Sequence, residues 1–456
     1  MARHTALRSG VGILSLLAIV GLAPTDALAG WKAGTARVAI TPKQPTWMAG
    51  YAARKGPSDG AVHDLWARAL VLEDGAGKKA VLVTLDLVGI GRDLSVPICD
   101  AIRDRLKIGR DQVVLACSHT HCGPIVGENE RPMFNLDADQ WQRVAAYAAF
   151  LKASVISVVD DAAERLEPVE LAWDTGRADF AVNRRTNKEP DVPALRSKLA
   201  LAGPVDHDVP VLRARGADGA LRAVVFGYAC HCTVLSFNKF CGDYAGFAQL
   251  ALEAAHPGAQ AMFVAGCGAD QNPLPRRTLE LAQAYGRQLA TAVDRVLARP
   301  MEAVADRIAC AYTEIPLAFG TLPTKQQVQD DAKSADTFVA SRARYLLKTI
   351  DRDGRLSPTY PYPVQVWRIG ELTWVLLGGE VVVDYSLRLK RNLGSSHTWV
   401  SAYCNDVMAY IPSLRVLKEG GYEGATAMIY YGLPAPWSER VEDDVVGAVV
   451  RLIDRP

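Results

Sequence analysis

From Trp31 onward, short apolar runs alternate with longer amphipathic stretches, the pattern of an α/β fold rather than of a β-sandwich or a helix bundle. "RALVLED" (68–74) and "KKAVLVTLDLVGI" (78–90) read as strands joined by the hairpin-like "DGAGK". "QVVLACS" (112–118), "LRAVVFGYAC" (221–230) and "QAMFVAGC" (260–267) read as three further buried strands, each running into a polar cluster. Three stretches carry apolar residues at helical spacing. One follows the N-cap candidate Asp137, one runs from about Thr278 to Arg299, and one covers residues 325–350. "RDGRLSPTYPYP" is the clearest Pro/Gly break, and strand pattern resumes after it over 364–385, so residues 30–456 are expected to form one domain. The expected architecture is mixed β-sheets flanked by helices, with ligands gathering where strands end.

The first 29 residues have the layout of a secretory signal: Arg3 and Arg8, an apolar run over 10–23, and the small-residue site Ala27-Leu28-Ala29 before Gly30. That run is too short to span a bilayer comfortably, so cleavage rather than a retained anchor is expected, with no transmembrane segment in the mature chain. The expected location is secreted or periplasmic. The 51 basic residues against 50 acidic ones give a net charge of +1, with no Lys/Arg block, which argues against a nucleic-acid partner. Nine cysteines in an exported chain of this size are expected to be small buried thiols or one or two disulfides, since no Cys-x-x-Cys pair has zinc-ribbon spacing.

"CSHTHCGP" (117–124) places His119 and His121 two residues apart at a strand end, and "YACHCTVLS" repeats the arrangement with His231. A neutral imidazole is a favoured zinc ligand, so histidines at distant strand ends are a plausible metal pair, although a lone strand-end histidine is more often structural. Glu380, inside the apolar "TWVLLGGEVVVDY", needs a compensating partner: a metal, an arginine, or exposure after the glycine pair. "FVAGCGADQNPLPRRT" reads as strand, Gly-rich turn and helix start, with Asp270 and Asn272 near the helix N-terminus. It lacks the P-loop lysine and the dinucleotide fingerprint, and the chain holds no zincin motif or nucleophile elbow.

Taken in order, these segments resemble the catalytic N-terminal domain of the neutral (non-lysosomal) ceramidases. "SHTHCGP" is similar to that family's "THTHSGPGG", "AVNRR" to "INRSP", and "YACHCTVLS" stands where the family has "FAVHGTSMN". "GDYAGFA" matches "GDNKGYA", "GGEVVVDYSLRLK" resembles "PGEFTTMAGRRLR", and "AYIPSLRVLKEGGYEGAT" resembles "YVTTPEEYxxQRYEGAST". The resemblance implies a zinc-dependent amidase that cleaves an N-acyl lipid such as ceramide by metal-activated water. It implies His119, His231, Glu380 and Tyr422 as zinc ligands, His121 as the proton carrier, and Arg184 and Tyr410 as holders of the scissile carbonyl. His63 matches a family histidine as a more distant contributor. A lipid substrate also implies peripheral contact with a membrane surface. Cys122, Gly266 and Cys267 depart from the family's pattern at positions that would line the substrate pocket, which leaves open a non-lipid amide or ester. A non-catalytic lipid- or glycan-binding protein is a further alternative. The resemblance ends without the family's C-terminal β-sandwich, so a catalytic domain alone is expected.

Overall fold

The computed structural model describes residues 30–454, together with residues 1, 2 and 5. Most of the leader expected over residues 1–29 lies outside the described residues. Eight strands form the main path of a nine-stranded mixed sheet, in the spatial order Val113–Cys117, Lys79–Leu85, Trp66–Glu73, Lys32–Ala39, Glu167–Arg177, Asp208–Gly216, Leu221–Tyr228 and Gln260–Ala265. The two outermost pairs are parallel and the inner pairs antiparallel. The hairpin expected at "DGAGK" is closed by Asp74, whose carboxylate accepts from the N–H groups of Ala76 and Lys78.

Alternation along each strand sends its two sets of side chains to two different cores. Ala67, Ala69 and Val71 face the helical layer, whereas Leu70 and Leu72 face a second sheet. That sheet has four strands, in the order Ile308–Ala318, Thr359–Ile369, Leu372–Leu377 and Thr398–Ser401. Trp367, Trp374 and Trp399 fill the space between the sheets, with Trp374 stacked on Trp399 at 4.1 Å and its indole N–H donating to Ser401 Oγ at 2.8 Å. The helices Ala138–Ala163, Asp243–Ala255 and Leu279–Leu297 cover the outer face of the large sheet, and Val441–Ile453 covers that of the small one. The mixed α/β architecture read from the sequence is therefore present, as two sheets packed face to face between helices. Trp374→Ala should cost about 3–5 kcal/mol. A lower urea midpoint with unchanged circular dichroism in buffer would register this, and an unchanged midpoint would refute the packing role.

Asp137 and Thr278 cap their helices as expected, accepting from Gln140 N and Leu281 N. The helix expected over 325–350 is instead two, Lys325–Asp331 and Thr337–Asp353, because Asp336 caps the second by accepting from Phe338 N and Val339 N. "VVVDY" does not continue a strand. Glu380–Val381 is a two-residue ladder, and a helix runs from Val383 to Leu393. Asp270 does lie at a helix N-terminus, but at this one, where its Oδ1 accepts from Val383 N at 2.9 Å. The helix after "NPLPRRT" starts at Leu279. Among the described helices, none is long and apolar enough to cross a membrane.

Candidate metal and catalytic site

The edge strand Val113–Cys117 ends in the loop of His119 and His121, and Leu221–Tyr228, one strand in from the opposite edge, ends in the loop of His231; residues 401–405 are laced between the two edge strands Val113–Cys117 and Gln260–Ala265. Cys117 N donates to Tyr403 O and Ala402 N to Ala265 O, while Asn405 N donates to Leu115 O. After Cys117 the chain turns sharply: His119 adopts φ 60° and its N–H donates to Leu87 O. Thr120 then bridges Cys232, so the second loop, which carries His231, lies alongside the first. Glu380 and Tyr410 are backbone partners in a short parallel ladder, reached after Gly379 turns at φ 74°. Arg184 follows the strand Ala181–Asn183, and its N–H donates to Asp270 O.

These loops bring the tips of His119, His121 and His231 together, all three buried, with their ligand atoms within 4.8 Å of one another. His119 Nε2 lies 3.0 Å and His231 Nε2 3.2 Å from Glu380 Oε2, and His121 Nε2 lies 3.1 Å from His119 Nε2. The opposite ring nitrogens decide the tautomers. His119 Nδ1 sits 2.5 Å from Val88 O and His231 Nδ1 2.7 Å from Gly268 O, and since carbonyls only accept, both Nδ1 atoms carry the proton. In the neutral rings both Nε2 atoms then present lone pairs, facing a carboxylate oxygen that has no hydrogen-bond partner. Burial, with Arg184 nearby, pushes His231 down to about 4, so it is neutral at neutral pH. Convergent lone pairs and an orphaned buried carboxylate oxygen are the donor set of a divalent ion such as zinc, so the residues fit a metal. Of the compensations open for Glu380, an arginine is not the one used among the described residues: Tyr431 OH donates to its Oε1, and the side of Oε2 faced by the two imidazoles is left for a cation.

Beside this cluster, Tyr410 OH lies 3.3 Å from His231 Nε2 and accepts from Arg184 Nη2 at 3.2 Å. Arg184 is fixed by Glu423, to which its Nε donates at 2.7 Å. Tyr422 stands at the rim, 41% exposed, with its ring edge-on to Tyr410 at 5.2 Å; among the described residues no hydrogen bond joins it to His119, His231 or Glu380. The phenol that does reach Glu380 is Tyr431, which donates to Oε1. His63 packs on Phe247, and its Nε2 accepts from Gly242 N–H at 3.3 Å.

Two residues escaped the sequence reading. Tyr431 sits in "MIYYG", where nothing local marks it. Glu130, in the charged run "GENERP", is buried with Oε2 unpartnered, and burial beside Glu380 pushes it up to about 7. Its φ of 53° is the one local oddity, and φ is not visible in sequence. All nine cysteines are free thiols, and burial raises the thiols of Cys117, Cys122, Cys230, Cys232 and Cys241, which makes them packing groups rather than ligands or nucleophiles. Cys122 and Cys267 belong to the main core, fully buried, and line none of the cavities described below.

The model of the neutral/alkaline non-lysosomal ceramidase N-terminal domain matches residues 31–272, more than half of the chain. The chain belongs to this ceramidase family. The match includes His119, His121, Arg184 and His231, while Glu380, Tyr410 and Tyr422 lie beyond it. Among curated ceramidases, neutral ceramidase of Pseudomonas aeruginosa is 26% identical over 196 residues, 41% of this chain and 28% of that protein. Neutral ceramidase A of Dictyostelium discoideum is 25% identical over 235 residues, 48% of this chain and 31% of that one. The matched segments thus span less than a third of either relative. A ceramidase complexed with C2 shares the fold, with a TM-score of 0.71 and 18% identity over 93% of this chain and 75% of its own. The crystal structure of the P. aeruginosa enzyme gives 0.70 and 18%, over 93% and 74%.

Proposed function

We propose that this ceramidase-family chain is a zinc-dependent hydrolase that cleaves the amide bond of an N-acyl lipid such as ceramide. The observation that carries the reading is the convergence of the His119 and His231 Nε2 atoms on the unpartnered Glu380 oxygen, with His121 Nε2 3.1 Å from His119 Nε2 and the Arg184–Tyr410 pair adjoining them. His119, His231 and Glu380 would hold the ion, with Tyr422 as the further ligand that the family resemblance implies. When bound, such an ion lowers the pKa of a water from 15.7 towards about 7 and polarises a carbonyl. His121 would take up a proton from the attacking water and deliver it to the leaving amine nitrogen, because its ring is the one in the cluster without a carbonyl anchor at Nδ1. Arg184 and Tyr410 donate to the amide oxygen as negative charge develops on it. Glu423 keeps the guanidinium aimed by holding its Nε, leaving the Nη2 edge on the Tyr410 side.

The test is hydrolysis of a fluorescent N-acylsphingosine by the full chain, before and after chelation and with zinc restored. Turnover that chelator abolishes and zinc rescues supports the reading. Bound zinc without turnover keeps the metal centre and overturns the lipid substrate. Tyr410→Phe should lower kcat by roughly 100-fold, about 3 kcal/mol of transition-state stabilisation, with KM little changed. A variant that loses affinity but keeps kcat would remove Tyr410 from the oxyanion role.

A further inference from the structure

Three cavities adjoin the site, and they differ in charge. One of about 480 Å³ beside Arg184 and Tyr422 contains Arg185 and Arg276, but Glu423 and Glu189 pair with them. One of about 420 Å³ behind Tyr431 sets Glu130 and Asp406 against Arg92 and Arg352. The third, about 410 Å³, lies on the His121 side and holds Arg54, Lys55 and Arg344 with no acidic side chain in its lining. Its walls are aromatic: Trp47, Tyr51, Phe134 and Phe338. Asp336, at its edge, is occupied in capping the Thr337–Asp353 helix.

This third cavity is one ring away from the reacting centre. Tyr51 packs on the His121 ring at 4.8 Å, and Arg54 Nη2 donates to His121 O at 2.6 Å. On the other side, Phe338 meets Tyr430 at 5.2 Å, Tyr430 meets Tyr422 at 6.1 Å, and Tyr422 meets Tyr410. Arg54 is anchored by Phe237 O, Asn238 Oδ1 and His121 O, but its buried Nε has no partner. Lys55 and Arg344 are exposed and form no ion pair among the described residues. An apolar wall topped by uncompensated cations selects an apolar group that carries a negative charge.

We propose that this cavity is a specificity pocket for an acid-bearing apolar arm of the substrate, of the kind an N-acylated aromatic or aliphatic amino acid presents. The inference rests on the amidase reading and narrows its substrate class. Because a single ring separates the cavity from His121, the acid must branch close to the scissile amide. In an N-acyl amino acid, carboxylate and side chain both leave the carbon attached to the amide nitrogen. The side chain would lie between Tyr51 and Phe338, with the carboxylate towards Lys55 and Arg344.

The test compares N-decanoylphenylalanine with N-decanoylphenethylamine, which lacks only the carboxylate, both below their micelle concentrations. Calorimetric binding is measured on the full chain after chelation, which prevents turnover and direct carboxylate–metal contact, and KM and kcat are then measured after zinc is restored. The acid is expected to bind about tenfold more tightly at low salt, and the advantage should shrink as salt rises and vanish in Lys55→Glu/Arg344→Glu. Equal binding of the two compounds, or a preference that survives the charge reversal, overturns the proposal. If the preference holds but neither amide is cleaved by the zinc-loaded chain, the pocket stands and the amidase reading falls. If both are cleaved with equal KM, the amidase reading stands and the pocket assignment falls.

Discussion

Replacing His231 by alanine is expected to strip the metal and abolish turnover. The His231 ring is locked by Gly268 O at one nitrogen and points the other at Glu380 Oε2, 3.2 Å away. Removing it leaves a buried carboxylate with one anchored imidazole, His119, and no other side chain carried by the Tyr228–Cys232 loop can take its place. Cys230 and Cys232 flank it, but burial keeps both thiols protonated. Loss of an outer-shell partner alone costs 10–100-fold in metal affinity in comparable sites, so loss of the ligand itself should exceed about 100-fold. Metal analysis after dialysis against a weak chelator would show substoichiometric zinc and matching loss of activity. One full equivalent of zinc in an active His231→Ala protein would sink the ligand assignment.

His121→Ala separates the roles within the triad. His119 and His231 have carbonyl-anchored rings, as metal-ligating histidines usually do, whereas His121 Nδ1 has no partner and Gly50 closes over it, with a hypothetical Cβ there only 2.5 Å from that atom. An unanchored ring suits a group that passes a proton and turns towards substrate. The expected result is retained zinc with kcat lowered by about 10²–10⁴-fold. The opposite outcome is equally readable: His121 Nε2 is 3.1 Å from His119 Nε2, so loss of zinc in His121→Ala would make it a third imidazole ligand and move the proton transfer elsewhere. Glu130, buried nearby with a free oxygen, would then be the first residue to replace, by glutamine.

Much of this site was readable because each of its parts is a local event. Asp137 and Thr278 cap helices through bonds to backbone N–H groups three residues on, so their signal is contained in a few adjacent positions. His119 and His231 stood out because each ends an apolar run, and Glu380 because a carboxylate in an apolar segment is expensive unless paired. Where two local signals competed, the reading failed. The period-3.6 pattern over 325–350 masked the Ser334–Asp336 break, and the β-branched run "VVV" hid a helix whose first N–H group is held by Asp270, 113 residues away.

The sequence by itself determined the alternation of strands and helices, the capped helix starts, and the residue types that end the strands, because those depend on contacts a few positions apart. Only the tertiary structure decided which of these ends meet. It set Glu380 opposite two bare Nε2 atoms, brought Tyr431 to the second carboxylate oxygen, left Tyr422 at the rim and closed eight of the nine cysteines into the core. The pairing of Glu380 with Tyr410 and the lacing of residues 401–405 between Leu115 and Ala265 join segments far apart in the chain. Such contacts are fixed by how two sheets pack through three tryptophans, a long-range balance of burial that no short window of sequence contains.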